Sequence, residues 1–257
     1  MEWVKSYYTA QSRTFGRAVV SEKNRAVAGD FDHWCRERGE GKRVLELGAG
    51  AGGMAAAMAD LGYDVWAVEF NPSCASLARE LVSGPRAGCV HVVEEDFYTA
   101  TFETPFDLVY YWDGFGIGSD ADQQRLLQRI ASEWLAPHGW CALDVFSPWN
   151  WARRAGERST HTALDGTTWE RRADFDASAS RLIDAWRPAD RPDVEPRSQT
   201  IRCYTLLELV RLLEGTGLRL DRVYGMDGRR IDPEDPSPVD EAYLRETNGY
   251  LAHLVPA

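Results

Sequence analysis

Residues 44–53 read VLELGAGAGG, a short apolar strand pattern running straight into a loop made almost wholly of glycine and alanine. No other stretch constrains the fold as far. The helical pattern "AGGMAAAMADLG" follows at once, stopped by Gly62. A strand, a loop without side chains and then a helix form a turn in which a ligand lies against bare backbone. The glycines fit two registers, Gly48-Gly50-Gly53 as G-x-G-x-x-G and Glu46-Gly48-Gly50-Gly52 as E-x-G-x-G-x-G.

The pattern around this turn repeats as strand and helix. "KRVLELGAG", "YDVWAVEFN", "CVHVVEEDF", "FDLVYYWDGFG" and "WCALDVFSP" read as five strands. Helices are expected in "PSCASLARELV", with Pro72 at its start, and in "SDADQQRLLQRIASEWLAPHG", opened by Ser119 or Asp120 and closed by Pro137 and Gly139. This alternation from 42 to 147 predicts a parallel sheet with right-handed crossovers and helices on both faces. Residues 3–40 have helical spacing. From 148 the texture changes: "TTWERRADFD" and "SRLIDAWRP" flank a small-residue turn, predicting an antiparallel insert, and "RPADRPDVEPR" reads as loop. "YTLLELVRLLEGTGL" is an amphipathic helix with Thr205 as N-cap. "RLDRVYGMDG" and "NGYLAHLVPA" supply two last strands, separated by the acidic loop "DPEDPSPVDEA".

Composition removes several function classes. A formal charge of −11 over 257 residues works against a nucleic-acid surface, which needs clustered cations. No apolar run reaches the roughly 20 residues that cross a bilayer, and "MEWVKSYYTAQSR" lacks a basic-then-apolar leader pattern. Cysteines 35, 74, 89, 141 and 203 are odd in number and never spaced C-x-x-C, so buried reduced thiols in a cytoplasmic protein are expected, with no metal site. A small-molecule partner follows; the oligomeric state is not written in the sequence.

The loop's ligand is read from strand ends, because open parallel sheets bind at the carboxyl ends of their strands. The first register is the dinucleotide fingerprint and implies a pyrophosphate. Glu46 at the loop mouth is a poor neighbour for phosphate and a good one for an amino acid's ammonium. Glu69, ending the second strand, can accept from both hydroxyls of a ribose. Asp96, ending the third, can accept from an adenine amino group while Phe97 packs beside the ring. Three carboxylates at successive strand ends favour a cationic nucleoside without phosphate.

With these residues placed, 42–147 resembles a class I S-adenosylmethionine-dependent methyltransferase of the small-molecule, secondary-metabolism type: "VLELGAGAGG" its first motif, "VWAVEFN" the ribose strand end, "EEDF" the adenine strand end, "FDLVYYWDGFG" and "WLAPHGWCALDVF" the fourth and fifth strands. The resemblance implies a Rossmann-like α/β sheet, mostly parallel and seven-stranded, with N-terminal helices and a small antiparallel insert. It divides the chain into a helical lid (1–41), a cofactor-binding unit (42–147 and 204–257) and a substrate-side cap (148–203). It implies S-adenosylmethionine held by the loop backbone at Gly48, Ala49, Gly50 and Gly52, by Glu46, by Glu69 with Phe70, and by Asp96 with Phe97. Trp112 or Asp113 would close over the methionyl side, and Tyr8 would cover the cofactor's carboxylate.

A sulfonium needs little activation, so the protein must mainly align a nucleophile and exclude water. Asp113, Phe115, Phe146, Trp149 and Trp151 follow strands four and five, where an acceptor pocket should open; an aromatic pocket for a planar or apolar molecule is expected. Of five histidines, only His161 lies beyond a strand's carboxyl end in the insert, which makes it the candidate general base; Asp113 and Asp144 are its rivals. The acceptor atom is oxygen or nitrogen. A nicotinamide oxidoreductase, an RNA methyltransferase and a protein that keeps the fold without methyl transfer are the other readings open at this point.

Overall fold

The computed structural model describes residues 2–39, 41–234 and 237–257. Two helices, α1 (Glu2–Phe15) and α2 (Glu22–Arg38), precede the sheet. The helical stretch expected over 3–40 is thus interrupted at 16–21: Ser21 Oγ accepts the Asn24 N–H, and Asn24 Oδ1 accepts the Ser21 N–H, starting a fresh helix there.

The main sheet begins with β1 (Arg43–Leu47), α3 (Gly53–Asp60), β2 (Asp64–Val68), α4 (Pro72–Leu81), β3 (Cys89–Val93), β4 (Phe106–Tyr111) and α5 (Asp120–Arg129). β5 (Leu135–Phe146) leads into α6 (Pro148–Arg153) and a separate antiparallel meander, β6 (Arg158–Thr162), β7 (Thr168–Asp176), β8 (Arg181–Pro188) and β9 (Arg197–Arg202). The chain then returns through α7 (Leu206–Leu213), β10 (Leu218–Gly225), β11 (Arg230–Ile231), α8 (Pro238–Glu246) and β12 (Gly249–Pro256).

The main sheet has the order β11-β10-β12-β5-β4-β1-β2-β3, parallel from β5 to β3. It is the expected Rossmann-like architecture with eight strands instead of seven. The eighth, β11, pairs only Ile231 and Arg230 with β10, too short to leave a periodic signal. Strand alternation feeds two cores. Leu45 and Leu47 point to the layer of α5 and α7, with Leu126, Leu127 and Leu209; Val44 points to α2 and α3, with Phe31, Met54 and Met58.

Other expectations need correction. The helix from 119 runs through a wider turn at Ile130–Trp134, and β5 begins at Leu135, before Pro137 and Gly139. Phe106 pairs with Leu135 and Leu108 with Trp140, so residues 136–139 bulge out of the ladder, where a proline is tolerated. The acidic loop contains α8, capped reciprocally by Ser237 and Asp240 with Pro238 in its first turn. The β7–β8 hairpin is as expected, with β6 and β9 added on its flanks. The inner face of the meander, Ala173, Leu182 and Ile201, packs with Val4 and Trp151 and ties α1 to it. Cys89 is exposed, whereas the other four cysteines are buried. Among the described residues no helix is long and apolar enough to cross a membrane.

Candidate functional site

The order of strands reverses between β1 and β4, and the chain leaves both at the same sheet edge, where open α/β sheets bind ligands. Past β1, Gly50 has φ 55°, a region that favours glycine, and its N–H donates to Glu69 Oε2 at 2.8 Å. Glu69 Oε1 accepts the Asn71 N–H at 2.7 Å. The Glu69 carboxylate, almost wholly buried, is fixed by two backbone donors and keeps lone pairs for a ligand. A Cβ at Gly50 would meet nothing within 4 Å, so this bare backbone borders open space. Gly52 has a different reason for being glycine: a Cβ there would come within 2.9 Å of Ala78 Cβ and push α3 from α4.

Around that space lies a cavity of about 240 Å³. It brings together Tyr8, Gly48, Gly50, Glu69, Phe70, Asp96, Phe97 and Trp112, all expected from sequence. Tyr98, Tyr111 and Arg125 also line it and were missed: Tyr111 ends a buried strand, Tyr98 lies in the turn after Asp96 and Arg125 on an exposed helix face, with nothing local to mark them. The Asp96 carboxylate accepts the Tyr98 N–H at 2.9 Å, which turns the chain and seats the Phe97 ring 5.6 Å from that of Tyr111.

Three expected residues stand outside this cavity. Gly52 serves packing, and Ala49 is buried with its N–H donated to the Val68 carbonyl at 3.0 Å, tying the loop to β2. Glu46 was expected at the loop mouth. Pleat alternation instead turns it to the opposite side from Leu45 and Leu47, alongside its register partner Tyr110. Burial pushes its carboxyl up to about 8, opposed by the nearby Tyr110 hydroxyl. Among the described residues Glu46 Oε2 and Tyr110 Oη nevertheless lack hydrogen-bond partners, so the two are neighbours without a formed bond.

A second cavity, of about 590 Å³, adjoins the first, and Tyr8, Trp112 and Asp113 line both. The expected Phe146 and Trp151 line it as well. Phe115 does not: it is fully buried against Tyr204, ring centroids 5.7 Å apart, because the chain after Gly114 turns back onto the core. Trp149 does not either, standing 55% exposed on α6. Nor is the cavity mainly aromatic. Asp30, Asp113, Asp144 and Asp184 line it against two cations, Lys23 and Arg171.

Asp113 and Asp144 form the charged centre. Asp113 has φ 57° and donates its N–H to Asp144 Oδ2 at 3.3 Å. Asp113 is exposed, yet protein closely surrounds it, as expected for a side chain standing in a concavity. Burial raises its pKa, with Lys23 opposing. Asp144 is buried and pushed up to about 7 by desolvation, then by Asp113. Asp184, by contrast, is ion-paired to Arg171 at 2.6 Å.

His161 takes no part in either cavity. It is exposed on β6, the outer edge of the meander, its Nε2 3.0 Å from Ser159 Oγ and its ring 4.9 Å from that of Trp186. The candidate base is therefore misplaced: the insert folds as a sheet whose far edge carries His161 away from the parallel strands' ends.

Comparison with known proteins agrees with the geometry. A family model described as a methyltransferase domain matches residues 21–223. The cypemycin N-terminal methyltransferase of a Streptomyces species is 30% identical over 125 residues, 48% of this chain and 49% of that protein, so the match spans about half of each. Among solved structures, the CcbJ methyltransferase of Streptomyces caelestis superposes with a TM-score of 0.71 at 20% identity, over 92% of this chain and 90% of that one. The sugar N-methyltransferase KedS8 of Streptoalloteichus does so with 0.63 at 19%, over 89% and 86%. At such identities the structural likeness shows the fold.

Proposed function

Because the chain belongs to the methyltransferase-domain family and is an S-adenosylmethionine-dependent methyltransferase, we propose that it methylates a nitrogen of a small polar amine. The nicotinamide reading falls with that membership. The observation that carries the proposal is the pair Asp113 and Asp144, which has no ion-pair partner at 4 Å or less among the described residues; both line the larger cavity, and Asp113 stands where the two cavities meet. Two carboxylates that share only the more distant Lys23 are costly in a concavity, and a cationic ligand offsets that cost. An alcohol brings no such charge. The excess of carboxylates over cations in the lining favours an acceptor with net positive charge.

Glu69 would hold the ribose, Asp96 and Phe97 the adenine, and the Gly48–Gly50 backbone the methionyl part. When bound, the cofactor supplies a methyl group on sulfonium sulfur. Asp113 and Asp144 then draw in the ammonium and orient it toward the junction. Asp144, held near 7, is matched to take up the proton the ammonium must lose before its lone pair can attack. As the N–C bond forms, the C–S bond breaks and its electron pair stays on sulfur. Helix α1 acts as the lid and the meander as the acceptor-side cap of the Rossmann-like unit. The relatives named for N-methylation support the choice of nitrogen. Unpaired cysteines fit a reducing cytoplasm.

The test uses methyl-labelled S-adenosylmethionine with paired panels of amines and the corresponding alcohols, including amino sugars and their hydroxy counterparts. Label should appear in amines. Label confined to alcohols would overturn the proposal.

A further inference from the structure

The wall of the acceptor cavity contains a chain of hydrogen bonds whose direction is fixed at one end. Asp184, on β8, accepts from Arg171 Nε at 2.6 Å through Oδ1. Its Oδ2 accepts from Trp186 Nε1 at 3.0 Å and from the Tyr7 hydroxyl at 3.4 Å. A carboxylate paired to arginine offers only acceptors. The side-chain amide of Gln199, on β9, must therefore turn its NH₂ toward Asp184, and does so at 3.3 Å. Its oxygen is left facing the other way, toward α1.

There it accepts from the Tyr8 hydroxyl at 2.7 Å. A tyrosine has one hydroxyl proton, and this one is committed to Gln199. Burial, then Tyr111 and Asp113, push the Tyr8 pKa well up, so the proton stays on the phenol. Whatever else approaches the Tyr8 oxygen meets lone pairs. Tyr8 lines both cavities, in company with Asp113.

We propose that Gln199 is a positioning residue that locks the Tyr8 hydroxyl as a hydrogen-bond acceptor toward the junction of the two cavities, making it a third acceptor for an N–H group beside Asp113 and Asp144. This rests on the amine reading above and deepens it. An ammonium has up to three N–H donors and a hydroxyl one, so adding an oriented acceptor to two carboxylates selects nitrogen by donor count as well as charge. It also orients the amine: once one proton has passed to Asp144, N–H groups held by Tyr8 and Asp113 leave the nitrogen lone pair free for the methyl group.

Calorimetry with two probes tests this without knowing the acceptor: S-adenosylhomocysteine, and sinefungin, in which an amine-bearing carbon replaces the methylated sulfur. The wild-type protein should bind sinefungin about tenfold more tightly. Tyr8→Phe, which removes one oxygen and keeps the ring, should lower that ratio about three- to tenfold. Gln199→Leu should lower it similarly while leaving S-adenosylhomocysteine affinity within about twofold. The double variant should lose no more than either single one, since both remove the same oriented lone pair. A high wild-type ratio that Gln199→Leu leaves unchanged, or fully additive losses, would overturn the role of Gln199 and leave the amine reading standing. A wild-type ratio near one would overturn both.

Discussion

The backbone N–H of Asp113 donates to Oδ2 of Asp144 across 3.3 Å, joining the end of β4 to the end of β5. Asp113 adopts φ 57° to make that approach, a conformation that non-glycine residues take up infrequently. The arrangement holds two carboxyl groups beside the smaller cavity, one accessible and one buried, and their mutual repulsion helps raise the pKa of Asp144 to about 7. A pair of acids so placed is stable only when one carries a proton or a cation lies against them.

Asp144→Asn keeps the shape and the acceptor for the Asp113 N–H while removing charge and proton uptake. Amine kcat/KM should fall about 10²-fold, within the range for a lost general base. Below pH 7 Asp144 is mainly protonated, and above it ionised, so wild-type kcat/KM should rise through about 7. The variant should lack that rise. A pH profile from 5.5 to 9 decides it; an unchanged inflection would assign the titration elsewhere.

Glu69→Ala should weaken S-adenosylmethionine binding at least about tenfold, ~1.4 kcal/mol, by calorimetry. The side chain also holds the Gly50 and Asn71 N–H groups, so part of the loss is loop order. Glu69→Gln retains one acceptor oxygen and should lose less. Equal affinities for all three proteins would show that this carboxylate does not meet the ribose.

His161→Ala should leave amine methylation within about twofold of wild type, as surface substitutions away from a site do. The exposed outer strand of the meander has no contact with either cavity. A loss of tenfold or more in kcat would require that strand to reach the junction.

The lining of the smaller cavity was legible in the sequence because its signals are local: glycines whose backbone must be bare, and acids such as Glu69 and Asp96 that mark strand ends. Glu46 escaped this reading, since one step of the pleat decides which face a side chain joins, and glycine spacing cannot count that step. The lining of the larger cavity was legible only in part. Phe146 and Trp151 were found by their position after β5, but Arg171, Asp184 and Gln199 come from strands whose register exists only once the meander has folded. His161 was a choice by elimination among five histidines, and elimination along the chain does not know which edge of a sheet faces the site.

Two buried groups on the α2 side of the sheet make opposing demands on pH. His253 is fully buried against Trp34, Trp140 and Tyr224, and neither ring nitrogen has a hydrogen-bond partner among the described residues. Desolvation, with Arg38 and Arg222 nearby, lowers its pKa from 6.5 to about 2. The unfolded chain therefore binds the extra proton below pH 6.5, and folded-state stability falls there by about 1.4 kcal/mol per pH unit from this group. Glu46 acts in the other sense. Its pKa rises from 4.5 to about 8, so the folded state binds the extra proton between those values and stability increases on acidification through that window. From 6.5 down to 4.5 the two contributions offset each other, and single variants should separate them. His253→Leu should gain stability relative to wild type by about 1.4 kcal/mol for each unit below 6.5, and Glu46→Gln should lose relative to wild type by a similar amount. Urea denaturation at pH 7.5, 6.5 and 5.5 measures both differences. Parallel stability curves for the His253→Leu variant and wild type would mean that the imidazole finds a proton-sharing partner in the folded protein.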